Sequence, residues 1–174
     1  MKKMKRLVAV LLAGIMALAM LTACGGTPGT PSTPETRDTE LEKRGVAWTV
    51  GRGKGAGLEL RAGTYLTTIS EKCLPGMVKG YDALIANNQT AYNAAMAETK
   101  TAFNAAKNGR NVAPVDVLFL NMEVTKENLA AAIQQNAGKF QTILKNAGVK
   151  NPAKFGVTVT KQDQYTLVLF MVSE

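Results

Sequence analysis

The sequence predicts an α+β domain in which a small, largely antiparallel sheet carries helices on both faces. Two closing segments, Phe155 to Thr160 and Tyr165 to Val172, read as strands of a β-hairpin around four polar residues. The second of these is apolar on both sides, and a strand of that kind must be covered on both faces. Its two apolar sets are Tyr165, Leu167, Leu169 and Met171 on one side, and Val168, Phe170 and Val172 on the other.

The first element in chain order is an export signal. A basic tip, Met1 to Arg6, precedes an unbroken apolar run from Leu7 to Met20. This order of charge, apolar run and small residues is typical of a secretory signal peptide. The run falls short of the roughly 20 apolar residues that a spanning helix needs.

The signal ends in Leu21-Thr22-Ala23-Cys24, which resembles a bacterial lipobox. That resemblance implies a diacylglycerol thioether on Cys24, cleavage directly before it, and a fatty acid such as palmitate on the new amino group. The alternative is ordinary cleavage near Ala23 that leaves Cys24 free. Lipidation at Cys24 predicts an exported protein that is anchored to the membrane through lipid, with its domain on the extracytoplasmic side, at the cell surface or in the periplasm.

Removal of the signal changes the charge of the chain. Residues 1–23 hold Lys2, Lys3, Lys5 and Arg6 and no acid, so the formal net charge falls from +8 to +4 in the mature chain. No block of basic residues is interleaved with aromatics, so the composition gives no indication of nucleic acid as a partner. With Cys24 lipidated, Cys73 has no second cysteine to pair with, and we expect it to be a buried apolar side chain.

The next stretch predicts a tether followed by one domain. Residues 24–45 are rich in Gly, Thr, Pro and charge, a composition that cannot bury enough apolar surface to order itself. We therefore predict a signal peptide over residues 1–23, a disordered tether over 24–45 and a single domain over 46–174.

The domain opens with two short alternating runs, Val46 to Val50 and Leu58 to Arg61, around a glycine-rich segment. Because that segment contains the cations Arg52 and Lys54, phosphate binding is one interpretation of it. Its spacing fits neither of the common phosphate-loop motifs, and no helix pattern follows it. We therefore predict a hairpin loop.

The middle of the chain predicts helices and one strand. Leu66 to Asn87 is helical with a break near Pro75-Gly76, and Gln89 to Asn108 has one apolar face. Val115 to Leu120 is predicted as a buried strand after Pro114. Thr125 is a predicted N-cap for a helix from Lys126 to Ala147, which Gly148 ends.

The last third resembles the CAP (SCP-like) superfamily of secreted proteins. Thr125 to Leu144, "TKENLAAAIQQNAGKFQTIL", is similar to the family helix T-P-E-E-A-V-x-x-W-x-x-S-x-G-H-R-x-x-I-L, and the closing hairpin resembles the family's last two strands. The family fold is an α-β-α sandwich. The matched positions are Thr125, Glu127, Ile133, Asn136, Gly138, Ile143 and Leu144.

Departures from the CAP pattern lie at the family's functional positions. Lys139 stands in place of its histidine, Phe140 in place of its arginine, and no Glu lies within Val117 to Asn121. The whole chain contains no histidine, which excludes His-ligated zinc and Ser-His or Cys-His catalysis.

These observations favour a non-enzymatic protein that uses no metal and no cofactor and has no catalytic residue. The predicted function is a lipid-anchored envelope protein whose domain binds an unknown small ligand or an envelope protein. The alternatives are a structural or assembly factor without a ligand pocket, and a carboxylate-dependent hydrolase. For the hydrolase, Glu123 and Glu127 are the nearest carboxylate pair, but both flank a helix start, where acids are favoured by the helix dipole alone. Ser70 and Ser173 lie in no nucleophile motif.

Overall fold

The computed structural model describes residues 36–55, 57 and 59–174, so the signal peptide and Cys24 lie outside the described residues. The described part of the chain forms five strands and five helices in a single sheet with packed helical layers. In chain order they are β1 (Thr36–Arg37), α1 (Thr39–Gly55), β2 (Arg61–Ala62), α2 (Thr64–Ile85), α3 (Gln89–Lys107), β3 (Val112–Leu120), α4 (Lys126–Gln135), α5 (Ala137–Asn146), β4 (Lys154–Lys161) and β5 (Tyr165–Ser173).

The three long strands form the antiparallel body of the sheet, in the order β4, β5, β3. β5 pairs with β3 from Val112 opposite Ser173 to Leu120 opposite Tyr165, and with β4 along its other side. Short β1 and β2 both pair with the outer side of β4, at its two ends, and β2 does so in parallel. The predicted hairpin and the predicted central strand therefore share one sheet.

Helices cover both faces of this sheet, which confirms the predicted α+β class. Val168, Phe170 and Val172 of β5 belong to an apolar core shared with α1, α4 and α5. Leu167, Leu169 and Met171 belong to a second core under α2, and α3 packs on α2. The strand that the sequence predicts to be apolar on both faces is therefore β5, the middle long strand of a three-layer domain.

The predicted hairpin between residues 46 and 61 is wrong. Val46 to Val50 lie inside α1, and the glycine-rich residues 51–55 form its last turns; Leu58 lies outside the described residues. Asp38 caps this helix, with its Oδ1 accepting a 2.8 Å hydrogen bond from the Leu41 N–H. Gly45 lies against the sheet, where an added Cβ would be 3.5 Å from Val157 Cγ1. Tertiary packing therefore outweighs the weak helix propensity of the glycines.

The start of the ordered domain also needs correction. Residues 36–45, predicted as the end of the tether, form β1 and the first turns of α1. Arg37 pairs with Thr160 in the sheet, and Leu41 is only 6% exposed. The domain therefore includes at least ten residues more than predicted, because long-range pairing with β4 orders a segment whose own composition is polar.

The predicted break at Pro75 is absent, since α2 runs unbroken from Thr64 to Ile85 with Pro75 inside it. A proline inside a helix removes one backbone hydrogen bond, and its ring clashes with the carbonyl of the preceding turn. Pro75 itself is exposed, while Leu74, Met77 and Val78 on either side of it are buried in the second core. Packing on both sides of the proline keeps the helix continuous.

The predicted helix from Lys126 to Ala147 is two helices. Thr125 caps α4 as predicted, its Oγ1 accepting a 3.1 Å hydrogen bond from the Asn128 N–H. Asn136, with φ −109° and ψ 21°, separates α4 from α5. Its buried amide donates a 3.3 Å bond to the Ala132 carbonyl, a side-chain bond of the type that competes with helical hydrogen bonding. Gly148, at φ +72°, follows the end of α5.

Candidate functional site

A groove of about 500 Å³ lies at one end of the sheet. It is formed where three segments meet: the start of α1, the loop between β3 and α4, and the turn between β4 and β5. The lining residues are Asp38, Leu41, Arg44, Phe119, Asn121, Met122, Glu123, Val124, Lys161, Gln162, Asp163, Gln164, Tyr165 and Thr166.

The floor of the groove is apolar and its rim is open. Leu41, Phe119 and Val124 are 4–6% exposed and belong to the core under α1 and α4. Met122 is 52% exposed. Among the described residues, Met122 and Val50, at 38%, are the exposed large apolar side chains. An apolar floor next to an exposed, flexible thioether gives the groove a surface that can adapt to an apolar side chain.

Backbone contacts fix the loop that carries Met122. Asn121 takes a left-handed conformation, with φ 50°, and its N–H donates a 3.0 Å bond to the Gln164 carbonyl of the facing turn. The Asn128 side chain donates a 3.1 Å bond to the Glu123 carbonyl. These bonds join the loop to the β4–β5 turn on one side and to α4 on the other, so the groove is held open by both neighbours.

The rim carries charges of both signs. Its acids are Asp38, Glu123 and Asp163, and its bases are Arg44 and Lys161. Asp38 is engaged as the α1 cap, and the Arg44 guanidinium lies 5.9 Å from the centroid of the Trp48 ring. With three acids and two bases, the rim carries a formal charge of about −1, which does not favour a strongly anionic ligand.

The chain enters the domain beside this groove, through a charged clamp. Arg37 donates to both carboxylate oxygens of Glu42, at 2.7 and 3.0 Å, and to Glu71 on α2. The hydrogen bond with Glu42 is the main cause that raises the pKa of Arg37 above its ordinary value. Glu42 also accepts a 2.9 Å bond from the Val159 N–H of β4. The clamp therefore ties β1, both helical layers and the sheet together.

The residues weighed as catalytic candidates do not form a cluster. Glu123 and Glu127 are both exposed, and of the two only Glu123 lines the groove. The Ser70 hydroxyl is buried against that of Thr158, and the Ser173 hydroxyl lies 2.5 Å from the Tyr65 hydroxyl. In the described residues, the structure therefore gives each serine a hydroxyl neighbour instead of a general base.

Cys73 is buried, as predicted. It lies on α2 with 2% exposure, and burial raises the pKa of its thiol to about 11. Within the described residues it has no disulfide partner. A thiol held protonated in this way is a poor nucleophile, because the thiolate is the reactive form.

The sequence did not predict two tyrosine–aspartate pairs beside the second core, under α2. The Tyr81 hydroxyl donates to Asp116, and the Tyr165 hydroxyl donates to Asp82 at 2.9 Å; the two rings lie 6.2 Å apart. Burial is the main cause that raises the pKa of both Tyr81 and Asp116. An aspartate inside the apolar run "VDVLFL" was the available signal, since a buried acid needs a hydrogen-bond partner.

Nothing in the described residues indicates a metal site or a membrane span. In residues 36–55 and 59–174, no three His, Cys, Asp or Glu side chains lie close enough to hold a metal ion. Over the same residues, every helix is too short or too polar to cross a bilayer.

Comparisons with known proteins give no relative: no protein-family model, no curated protein and no solved structure matches this chain. The resemblance to the CAP superfamily stays a hypothesis from the sequence. Its matched helix spans the junction at Asn136, so the matched residues lie on two helices, α4 and α5.

Proposed function

We propose that this chain is a lipid-anchored protein of the cell envelope whose α+β domain binds a ligand or partner without catalysis. The observation that carries the proposal is the groove at the end of the sheet, where an apolar floor and a polar rim converge. Sites with these features are the usual places where folded domains bind other molecules.

The sequence supports the membrane anchor. A basic tip, a short apolar run and Leu-Thr-Ala-Cys stand in the order that lipoprotein signals show. We expect Cys24→Ala to abolish metabolic labelling of the protein with palmitate, because the thioether that starts lipidation would be lost. Continued lipid labelling and membrane fractionation of that variant would contradict the anchor.

Chemistry of the described side chains supports a binding role over catalysis. General acid and base catalysis by carboxylates needs two of them in one cleft with pKa values held apart. Glu123 and Glu127 are exposed, and the half-buried Asp116 is bonded to Tyr81 and does not line the groove. These arrangements favour a binding protein over the carboxylate-dependent hydrolase.

Site-specific photo-crosslinking in intact cells tests the binding role. A photoreactive residue at position 122 is expected to give a discrete adduct, because Met122 borders the apolar floor. Position 50 is the matched control, since Val50 is also an exposed apolar side chain, at 38%, and lies on α1 outside the groove lining.

Position 50 distinguishes specific binding in the groove from nonspecific crosslinking. Adducts of the same kind from both positions would contradict a specific groove. The absence of an adduct from position 122 would favour the alternative function, an envelope structural or assembly factor without a ligand site.

A further inference from the structure

We infer that the groove faces the membrane and takes a polypeptide segment of another protein held at the membrane surface. This inference rests on the proposed lipid anchor and the proposed groove, and it adds the orientation of the site and the class of its partner.

The orientation follows from where the described chain begins. Thr36 pairs with Lys161, a rim residue, and Asp38 two residues later also lines the groove. The Arg37 clamp fixes this entry point to α1, α2 and β4. The tether therefore joins the domain at the groove and nowhere else along the sheet.

The length of the tether limits how far the groove can lie from the lipid. Thr36 is twelve residues after Cys24, and a chain extends at most about 3.3–3.6 Å per residue, so the entry point lies within about 40 Å of the anchor. The far end of the sheet, near Lys150 and Glu174, is separated from the groove by the nine residues of β5, or about 26 Å.

The lining of the groove decides the class of partner. A bare anionic lipid surface is disfavoured, because the three acids of the rim outnumber Arg44 and Lys161. The buried Leu41, Phe119 and Val124 suit an apolar side chain, and the exposed carboxylates Glu123 and Asp163 suit a neighbouring basic residue. A polypeptide segment with an apolar residue beside a basic one would match both the apolar floor and the acidic side chains of the rim.

Energy transfer tests the orientation without knowledge of the partner. The lipidated chain is placed in phosphatidylethanolamine/phosphatidylglycerol vesicles that carry an acceptor dye at the headgroup, with a donor on Met122→Cys or on Lys150→Cys. Lys150 is exposed at the far end of the sheet, and Cys73 is buried, so labelling is specific. We expect higher transfer from position 122 than from position 150; equal transfer, or higher transfer from position 150, would overturn the orientation and leave the binding proposal intact.

Crosslinking with and without the anchor tests the partner. The photoreactive residue at position 122 is compared in the lipidated chain and in a chain exported by an ordinary signal and starting at Gly25. An adduct with a polypeptide that weakens without the anchor is the expected result. An equal adduct from the unanchored chain, or an adduct with phospholipid, would overturn this inference. No adduct from either chain would overturn the proposed function itself.

Discussion

The outer sides of the two flanking long strands, β4 and β3, are protected against added strands in different ways. On the β4 edge, backbone groups are covered by segments that are distant in sequence: the Gly63 N–H bonds to the Phe155 carbonyl at 2.8 Å, and the Asp38 N–H bonds to the Val159 carbonyl at 3.0 Å. Glu42 accepts the Val159 N–H on the same edge. That edge is closed by tertiary contacts.

The β3 edge is protected by residue types within the strand itself. In the described part of the chain β3 pairs with β5 alone. The Asn121 N–H bonds to the Gln164 carbonyl, so the backbone N–H and C=O groups of the odd-numbered residues of β3 point toward β5. Those of the even-numbered residues point away from the sheet. Pro114 has no N–H to offer there, and Asp116 places a carboxylate in the same strand. Prolines and charges at an edge are known devices against strand addition. A single sheet can therefore protect one edge by long-range packing and its other edge by the residue types of the edge strand itself.

The largest expected effect is on the packed side of β4. Gly156 faces α2, and a Cβ there would lie 2.5 Å from the Thr67 nitrogen and 2.7 Å from the Leu66 carbonyl carbon. Because both are backbone atoms, they cannot move aside. We expect Gly156→Ala to lower the free energy of unfolding by about 3 kcal/mol, measured by denaturant titration.

A matched glycine provides the control for that substitution. Gly51 is an exposed residue of α1, and an added Cβ there meets nothing within 4 Å. Gly51→Ala should raise stability by about 0.5–1 kcal/mol through helix propensity. Equal effects of the two substitutions would contradict the close approach of α2 to β4.

The next effect concerns the clamp on the β4 edge. Glu42→Ala removes the acceptor of the Val159 N–H and both bonds from Arg37. We expect a loss of about 2 kcal/mol in the free energy of unfolding, reduced from the value for a fully buried pair because Arg37 is 35% exposed. Glu42→Gln keeps an acceptor for Val159 and should lose about half as much. Identical losses for both variants would show that the acceptor role is unimportant.

On the β3 edge, Asp116 should make stability depend on pH. Burial raises its pKa, so the folded state holds the proton more tightly than the unfolded state, whose pKa is about 4. This contribution is fully present below about pH 4 and is lost as the pH rises through the folded pKa. Asp116→Asn, which cannot titrate, should become progressively more stable relative to the parent as the pH rises from about 4. A difference that stays constant across that range would contradict a raised pKa of Asp116 in the folded state.

The smallest effect on stability is expected at Pro114. It is exposed, so Pro114→Val should change the free energy of unfolding by no more than about 0.5 kcal/mol. The single variant should associate no more than the parent, because Asp116 still places a carboxylate in the edge strand; Pro114→Val combined with Asp116→Val should self-associate through β3. Sedimentation velocity measures both, and an unchanged oligomeric state of the double variant would show that other features protect this edge.

Local patterns in the sequence were sufficient for part of the fold. The β4–β5 hairpin, α3 and the Thr125 cap were predicted because alternation, helical spacing and capping are properties of neighbouring residues. The extent of α1 was missed because the helix depends on packing of Leu41 and Gly45 against the sheet, and β1 was missed because its partner lies over 100 residues away. Long-range contacts were the missing information in both cases.

The candidate site was beyond the reach of sequence patterns for the same reason. Leu41, Met122 and Gln164 belong to three segments that only the folded sheet brings together. The Tyr165–Asp82 bond also joins residues 83 positions apart. Cys24, by contrast, was predicted from a contiguous motif that needs no tertiary structure.

Crosslinking from the groove and from the β3 edge shows which of the two surfaces binds the partner. A photoreactive residue replaces Met122 in one lipidated variant and the exposed Pro114 in another, and both are irradiated in intact cells. We expect a discrete polypeptide adduct from position 122 and none from position 114. An adduct from position 114 alone would contradict this expectation, because the partner would then bind the guarded edge of the sheet and leave the groove empty.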